Sequence, residues 1–389
     1  MKTRRLFDED SRLTSFTAVV QSCEADGKLY RIQLDQTAFF PEEGGQSCDR
    51  GTLGGETVIR VLEDDGVITH WLAKPFTPGT EVSGEIDWEK RFSDMQQHTG
   101  EHIVSGLVHS VFGYDNVGFH LGSEYVTMDY SGPLNPVQLR EIEERANRVV
   151  WANLPVSVTW PSSQVLETLP YRSKKELEGD IRIVEIPDVD RCACCAPHVL
   201  RTGEIGIIKL ISSESYKGGV RVYMLCGSRA LADYHKKQEN AAEISALLSA
   251  RPDEIASAVR RQKEECESLR YEVNRLKMDL IQSGIMQLSE EKCVCLFDPN
   301  LDRGNNRRAW NLLCERFPGS VCAAFSGSDE SGYQFILGGG GNDAREIGKA
   351  LLAAFSGKGG GSAQMFQGQI PEKQKEIEKF LKRYLTKTE

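Results

Sequence analysis

Residues 95–106 read MQQHTGEHIVSG, and the order of the chain is best understood outward from them. Met95, Ile103, Leu107 and Val111 follow a helical period that Gly113 ends, so the spacing predicts one long amphipathic helix in the stretch that begins at Asp87. Helical positions i and i+4 share a face, so His98 and His102 can address one ion. A second pair follows about a hundred residues later in RCACCAPHV, where Cys194 and His198 are spaced C-x3-H. Two histidines with a cysteine and a third histidine make a borderline-soft donor set suited to Zn²⁺. Each pair alone has a plainer reading, as a helix-surface pair and a buried thiol cluster. Both together, in a chain with only seven histidines, point to zinc. Cys192 and Cys195 compete with Cys194, so the identity of the thiolate ligand stays open at this stage.

Upstream, residues 1–88 alternate short apolar segments with Asp-Gly and Gly-Gly punctuation, the pattern of a small β-barrel or sandwich. Within them LDQTAFFPEEGGQ, residues 34–46, is forced into an irregular loop by Pro41 and Gly44-Gly45. Downstream, a strand is expected at 125–130, a helix from Asn135 to about Ala152, and strands near 156–160, 181–186, 205–212 and 220–225. This gives an α+β domain over 89–230. Residues 231–288 carry a heptad seam at Ile255, Val259, Gln262, Cys266, Leu269, Val273, Leu276 and Leu280. It predicts a coiled-coil-like helical stem, able to pack within one chain or to form a homodimer. Residues 289–389 read as a further α/β domain, with the glycine-rich GKGGGSAQMFQGQI at 357–370. The fold class is thus α+β and multidomain.

Composition narrows the function. The 389 residues are 40% hydrophobic and 27% charged, an ordinary globular balance, and no run approaches the ~20 apolar residues of a membrane span. MKTRRLFDEDS has no apolar signal-peptide core, and the eleven cysteines read as reduced thiols, so a cytoplasmic protein is expected. A net charge of −10 excludes wholesale coating of nucleic acid. The segment from Gly357 to the end departs from this, with seven basic and four acidic residues, a local net of +3.

MQQHTGEHIVSG, with CCAPHV, TGEIGIIKL and KGGVRVYMLCG, resembles the editing domain of alanyl-tRNA synthetases and their free-standing AlaX relatives. LDQTAFFPEEGGQ resembles the glycine-rich motif of the small barrel preceding that domain, and GKGGGSAQMFQG the C-terminal domain shared with DHH-type phosphoesterases. The order of parts is that of the long AlaX type: barrel, editing domain, stem, C-terminal domain. No motif for activating an amino acid with ATP is found. Two departures stand out. The usual Cys-Gly-Gly-Thr-His element is Cys-Cys-Ala-Pro-His here, and Glu43 stands where a third glycine is usual.

The resemblance implies a trans-acting, zinc-dependent deacylase of mischarged tRNA(Ala), removing mainly the seryl and secondarily the glycyl ester. It implies His98, His102, Cys194 and His198 as zinc ligands. A synthetase site sized for alanine rejects glycine or serine only about 10–200-fold, so a second hydrolytic sieve is useful. Thr37 is the expected partner for the seryl hydroxyl, His120 a second substrate-facing candidate, and Glu101 a candidate general base by its position between the histidines. Lys358 with Gly359, Gly360 and Gly361 is expected to approach tRNA, exposed amides and a cation both suiting phosphate. Four protein ligands would close a zinc site, the usual sign of a structural role. The alternative is therefore a non-catalytic tRNA-binding protein with a structural zinc. A metallohydrolase of small esters is a third reading, for which the stem and basic C-terminus would be superfluous.

Overall fold

The computed structural model describes residues 2–173, 181–299, 301 and 303–386. The chain packs as two units, Met1–Glu243 and Ile244–Glu389.

The N-terminal part of the first unit is built on a seven-stranded sheet: β1 (Ser15–Asp26), β2 (Leu29–Leu34), β3 (Gly51–Leu53), β4 (Glu56–Thr57), β5 (Arg60–Asp64), β6 (Val67–Leu72) and β7 (Glu81–Ile86). They form one antiparallel sheet in the order β4-β3-β7-β1-β2-β6-β5. β1 belongs to both halves: residues 15–19 pair with β7 and residues 20–26 with β2. The bent sheet wraps Phe16, Ile32, Phe39, Val61, Ile68 and Leu72. Buried and less buried positions alternate along β6 and β7, as expected of a sheet that is wet on one face. The barrel expected from the sequence is thus, among the described residues, a sheet whose ladders leave β4 and β5 at the edges. These edge strands are pieces of one run. Val58 donates to Gly51 at the start of β3, and Ile59 donates to Trp71 on β6.

Helix α1 (Trp88–Phe112) follows, capped by the Asp87 carboxylate at its start and by left-handed Gly113 at its end. After it come β8 (Asn116–Leu121), β9 (Val126–Tyr130), α2 (Pro136–Ala152), β10 (Ser157–Thr159), β11 (Ile183–Ile186), β12 (Asp190–Ala193), β13 (Ile208–Tyr216) and β14 (Gly219–Cys226). The helix α2 starts with a capping box between Asn135 and Gln138. β8-β9-β14-β13 make an antiparallel sheet that packs on α1 and α2 through Ile103, Val104, Val108, Met128, Ile142 and Val222. A smaller sheet, β10-β11-β12, carries the chain into the cysteine-rich loop. Helix α3 (Gly227–Leu248) comes next.

In the second unit, helix α4 (Ile255–Met286) precedes β15 (Cys293–Phe297), α5 (Arg303–Arg316), β16 (Val321–Ser328), β17 (Gly332–Gly338), α6 (Ala344–Phe355), β18 (Lys358–Gly361), β19 (Met365–Ile370) and α7 (Gln374–Thr386). The sheet order is β15-β16-β17-β19-β18, parallel only between β15 and β16. Alternation on the central β16 sends Val321, Ala323 and Phe325 to one core and Cys322 and Ala324 to the other. Met278, Ile281 and Ile285 bring the end of α4 into the second core. The heptad seam lies on another stripe of this helix, with Val259, Leu269, Val273, Leu276 and Leu280 exposed. The glycine-rich segment forms an edge hairpin, β18 against β19. Lys387 of the basic run lies outside the described residues. Among the described residues, no helix is long and apolar enough to cross a membrane.

Candidate metal centre

Helix α1 and the loop after β12 bring His98, His102, Cys194 and His198 together, with one ligand atom from each lying within 4.8 Å of all the others. Cys194 Sγ is 3.5 Å from His98 Nε2 and 3.4 Å from His198 Nε2. A tetrahedral zinc with bonds of ~2.3 Å to sulfur and ~2.05 Å to nitrogen has S···N edges of about 3.6 Å. The two sulfur–nitrogen separations therefore already stand near the value zinc requires.

What surrounds each imidazole fixes which nitrogen is offered. His98 Nδ1 is 2.8 Å from Gln46 Oε1, His102 Nδ1 is 2.9 Å from Asp190 Oδ2, and His198 Nδ1 is 3.0 Å from Thr99 Oγ1. Gln46 and Asp190 can only accept at those atoms, so Nδ1–H donates and Nε2 is left for the ion; Thr99 suits the same arrangement. Asp190 is itself gripped by Arg172 at 2.7 and 2.9 Å. Close approach makes that chain of contacts possible: a Cβ on Gly106 of α1 would sit 2.4 Å from the Val189 carbonyl oxygen.

Electrostatics separate the three neighbouring thiols. Burial alone would raise Cys194, but His98, His198 and hydrogen bonds from His102 and His198 outweigh it and hold the thiol well below its ordinary value. Burial raises Cys192 to about 12 and also pushes Cys195 up, the latter with help from Cys194 and Glu43. His102 goes up to about 9 because, against the cost of burial, Asp190 and Cys194 favour its cation, while burial takes His198 down to about 3. Of the three neighbouring thiols, Cys194 is the one held towards the thiolate form and the one whose sulfur lies among the three imidazoles. Three imidazoles gathered around the Cys194 sulfur, burial and partnered Nδ1 atoms together fit Zn²⁺, which would take the place of the Nε2 proton that His102 carries as a cation.

The centre borders a cleft of about 540 Å³ lined by His98, His102 and Cys194 together with Glu43, Gly45 and Phe119. Gly44 and Gly45 adopt φ of 61° and 84° in a turn closed by Glu43 and Gln46, which bond to each other's backbones. A Cβ on Gly45 would meet the Phe119 carbonyl oxygen at 2.4 Å, so only glycine lets this turn lie against β8 and present Gln46 to His98.

Three expected site residues do not join the cleft. Thr37 is fully buried in the sheet core, where its hydroxyl accepts from Phe39 N at 3.1 Å and lies 2.9 Å from His70 Nε2. Since His70 Nδ1 faces the Ile32 carbonyl at 3.2 Å, Nε2 is the acceptor and Thr37 O–H donates to it. His120 is exposed on β8, and strand alternation explains why: Phe119 turns towards the centre, its ring 4.6 Å from that of His98, so the next residue turns away. Glu101 is buried, accepts from Ser105 and Asn116, both at 2.6 Å, and is not among the residues lining the cleft. In the second unit, Lys358 and Gly359–Gly361 form the exposed edge strand β18. Lys358, Gly359 and Gly360 line a groove of about 500 Å³ together with Asn306, Gln334 and Gln367. Sequence reasoning missed Gln46, Thr99, Arg172 and Asp190. The only available signal was Gln46 closing the glycine motif.

Residues 181–223, which contain Cys194 and His198, match the family described as the threonyl and alanyl tRNA synthetase second additional domain. The chain is 28% identical over 406 residues to the alanyl-tRNA editing protein Aarsd1 of Danio rerio, covering 96% of each. The chain is a homologue of the alanyl-tRNA editing proteins. Aarsd1 of Rattus norvegicus is 26% identical over 98% of both chains. The alanine–tRNA ligase of Pyrococcus abyssi is 31% identical across 95% of this chain, which spans 42% of that ligase.

Proposed function

We propose that this homologue of the editing proteins is a zinc-dependent hydrolase of the aminoacyl ester of mischarged tRNA(Ala), acting mainly on the seryl and secondarily on the glycyl ester. One observation carries the reading: three Nε2 atoms and a thiolate converge on the wall of an open cleft. A purely structural zinc needs no such cleft. Bound there, zinc supplies Lewis-acid chemistry suited to an ester carbonyl and a water.

The rest is done by the chain. Gln46, Asp190 and Thr99 keep three imidazoles in register. Phe119 walls the cleft beside His98. Because the Thr37 hydroxyl is already engaged, the seryl hydroxyl needs another acceptor; of the two carboxylates lining the cleft Asp8 is paired with Arg5 and Arg182, so we assign the role to Glu43. Glu101 supports the polar network behind α1 and is assigned no proton-transfer role. We assign Lys358 and the β18 edge to tRNA contact, and a second copy of the chain to the exposed seam of α4. A tRNA substrate and a reduced thiolate fit a cytoplasmic protein.

The test is a single-turnover assay with seryl-tRNA(Ala), using zinc-loaded wild type, metal-stripped protein and His98→Ala. Ester loss only with the loaded wild type supports the enzyme. Tight tRNA binding with no ester loss favours the structural-zinc alternative.

A further inference from the structure

The cleft continues past the metal ligands. Arg5, Asp8, Trp160 and Arg182 line both this cleft and a second cavity of about 740 Å³. Arg5 Nε and Arg182 Nε stand 3.0 and 3.3 Å from the two oxygens of Asp8, so the threshold between the cavities is a fixed ion-paired cluster. Arg182 also donates to the carbonyls of Cys194 and Ala196 at 2.8 and 3.0 Å, which ties the threshold to the ligand loop.

Beyond it the second cavity changes character. Val156, Val158, Val199 and Leu200 give it an apolar side, and Glu9, Asp10 and Ser11 a polar one. Trp160, just after β10, is 51% exposed, with the Arg182 guanidinium 5.9 Å from its ring centroid. A large indole left half in water, in a cavity with an apolar side and a charged rim, suits a flat ring with polar edges.

We propose that the second cavity binds the terminal nucleoside of the acylated RNA, with its base stacked on Trp160. This rests on the deacylase reading, which puts the ester at the metal and the base one sugar away. The acylated end of a tRNA is single-stranded, so its last base is free to stack. Base–aromatic stacking needs no hydrogen-bond readout, which suits a terminus common to all tRNAs.

The experiment measures binding of an uncharged acceptor-stem hairpin ending in single-stranded CCA, and of the same hairpin with an abasic terminal residue. Zinc-loaded wild type, Trp160→Ala and Trp160→Phe are compared, with zinc content as the folding control. Wild type should lose roughly tenfold or more when the terminal base is removed, and Trp160→Ala should lose a similar factor on the complete hairpin. Trp160→Ala should then be indifferent to the abasic change, and Trp160→Phe should retain most of the affinity. If Trp160→Ala weakens both hairpins by the same factor, or wild type ignores the missing base, the subsite is wrong. Because no hydrolysis is required, these outcomes are separate from a failure of the deacylase reading, which would show as base-dependent binding without ester loss.

Discussion

Asp190 Oδ2 lies 2.9 Å from His102 Nδ1, and Arg172 holds the same carboxylate through two further bonds. The contact runs from β12 to the middle of α1. It orients one imidazole of the candidate metal centre and leaves Nε2 as the nitrogen that could be offered to an ion.

Asp190→Asn should therefore weaken zinc binding about 10–100-fold without removing a ligand. Competition with a chromogenic chelator would measure it. An unchanged affinity would mean that Asp190 only ties Arg172 to the sheet.

The thiols give a sharper contrast. Cys194→Ala should abolish stoichiometric zinc, while Cys192→Ala and Cys195→Ala should retain it, since burial keeps both of those thiols protonated. Metal analysis of the three purified variants checks this, and loss of zinc from Cys195→Ala alone would reassign the ligand.

Glu43→Ala removes the carboxylate we assign to the seryl hydroxyl. A hydrogen bond to a charged group contributes ~1.5–3 kcal/mol, so seryl-tRNA cleavage should fall about tenfold or more. Glycyl-tRNA cleavage should change much less. Equal loss on both substrates would show that Glu43 does not read the hydroxyl.

His70 gives the first unit a pH dependence of its own. Burial lowers its pKa from 6.5 to about 4, so between these values the unfolded chain binds a proton that the folded chain refuses. The stability tied to neutral His70 is complete above pH 6.5 and is lost as pH falls towards 4, by about 3 kcal/mol. His70→Gln does not titrate and should flatten that part of the profile. Urea unfolding of both proteins at pH 7 and 4.5 measures the difference, and parallel profiles would contradict it.

Much of this was legible in the sequence where one segment carried its own pattern. The period of Met95, Ile103, Leu107 and Val111 gave α1 with its Gly113 end, and Asn135-Pro136 gave the start of α2. The four residues of the cluster were readable because their spacings, H-x3-H and C-x3-H, are local. Their supporting groups were not: Gln46, Asp190 and Arg172 reach the centre across 52, 88 and, through Asp190, 18 residues of chain. Thr37 looked like a site residue because its motif is one, yet strand geometry turned its hydroxyl onto His70. Helix α5 escaped notice since RGNNRRAWNLLCER has few apolar positions to show a period, and the seam on α4 was real as a pattern but is not the stripe that packs within the chain.

The central claim is that the cleft beside His98, His102, Cys194 and His198 removes the wrong amino acid from tRNA(Ala) and spares the right one. The direct measurement is the rate of ester loss from seryl-, glycyl- and alanyl-tRNA(Ala) with the zinc-loaded protein in one buffer. The account predicts fast loss of the seryl ester, slower loss of the glycyl ester, and alanyl-tRNA left at its spontaneous rate. Equal rates on all three, or no ester loss from any while zinc is bound, would contradict it.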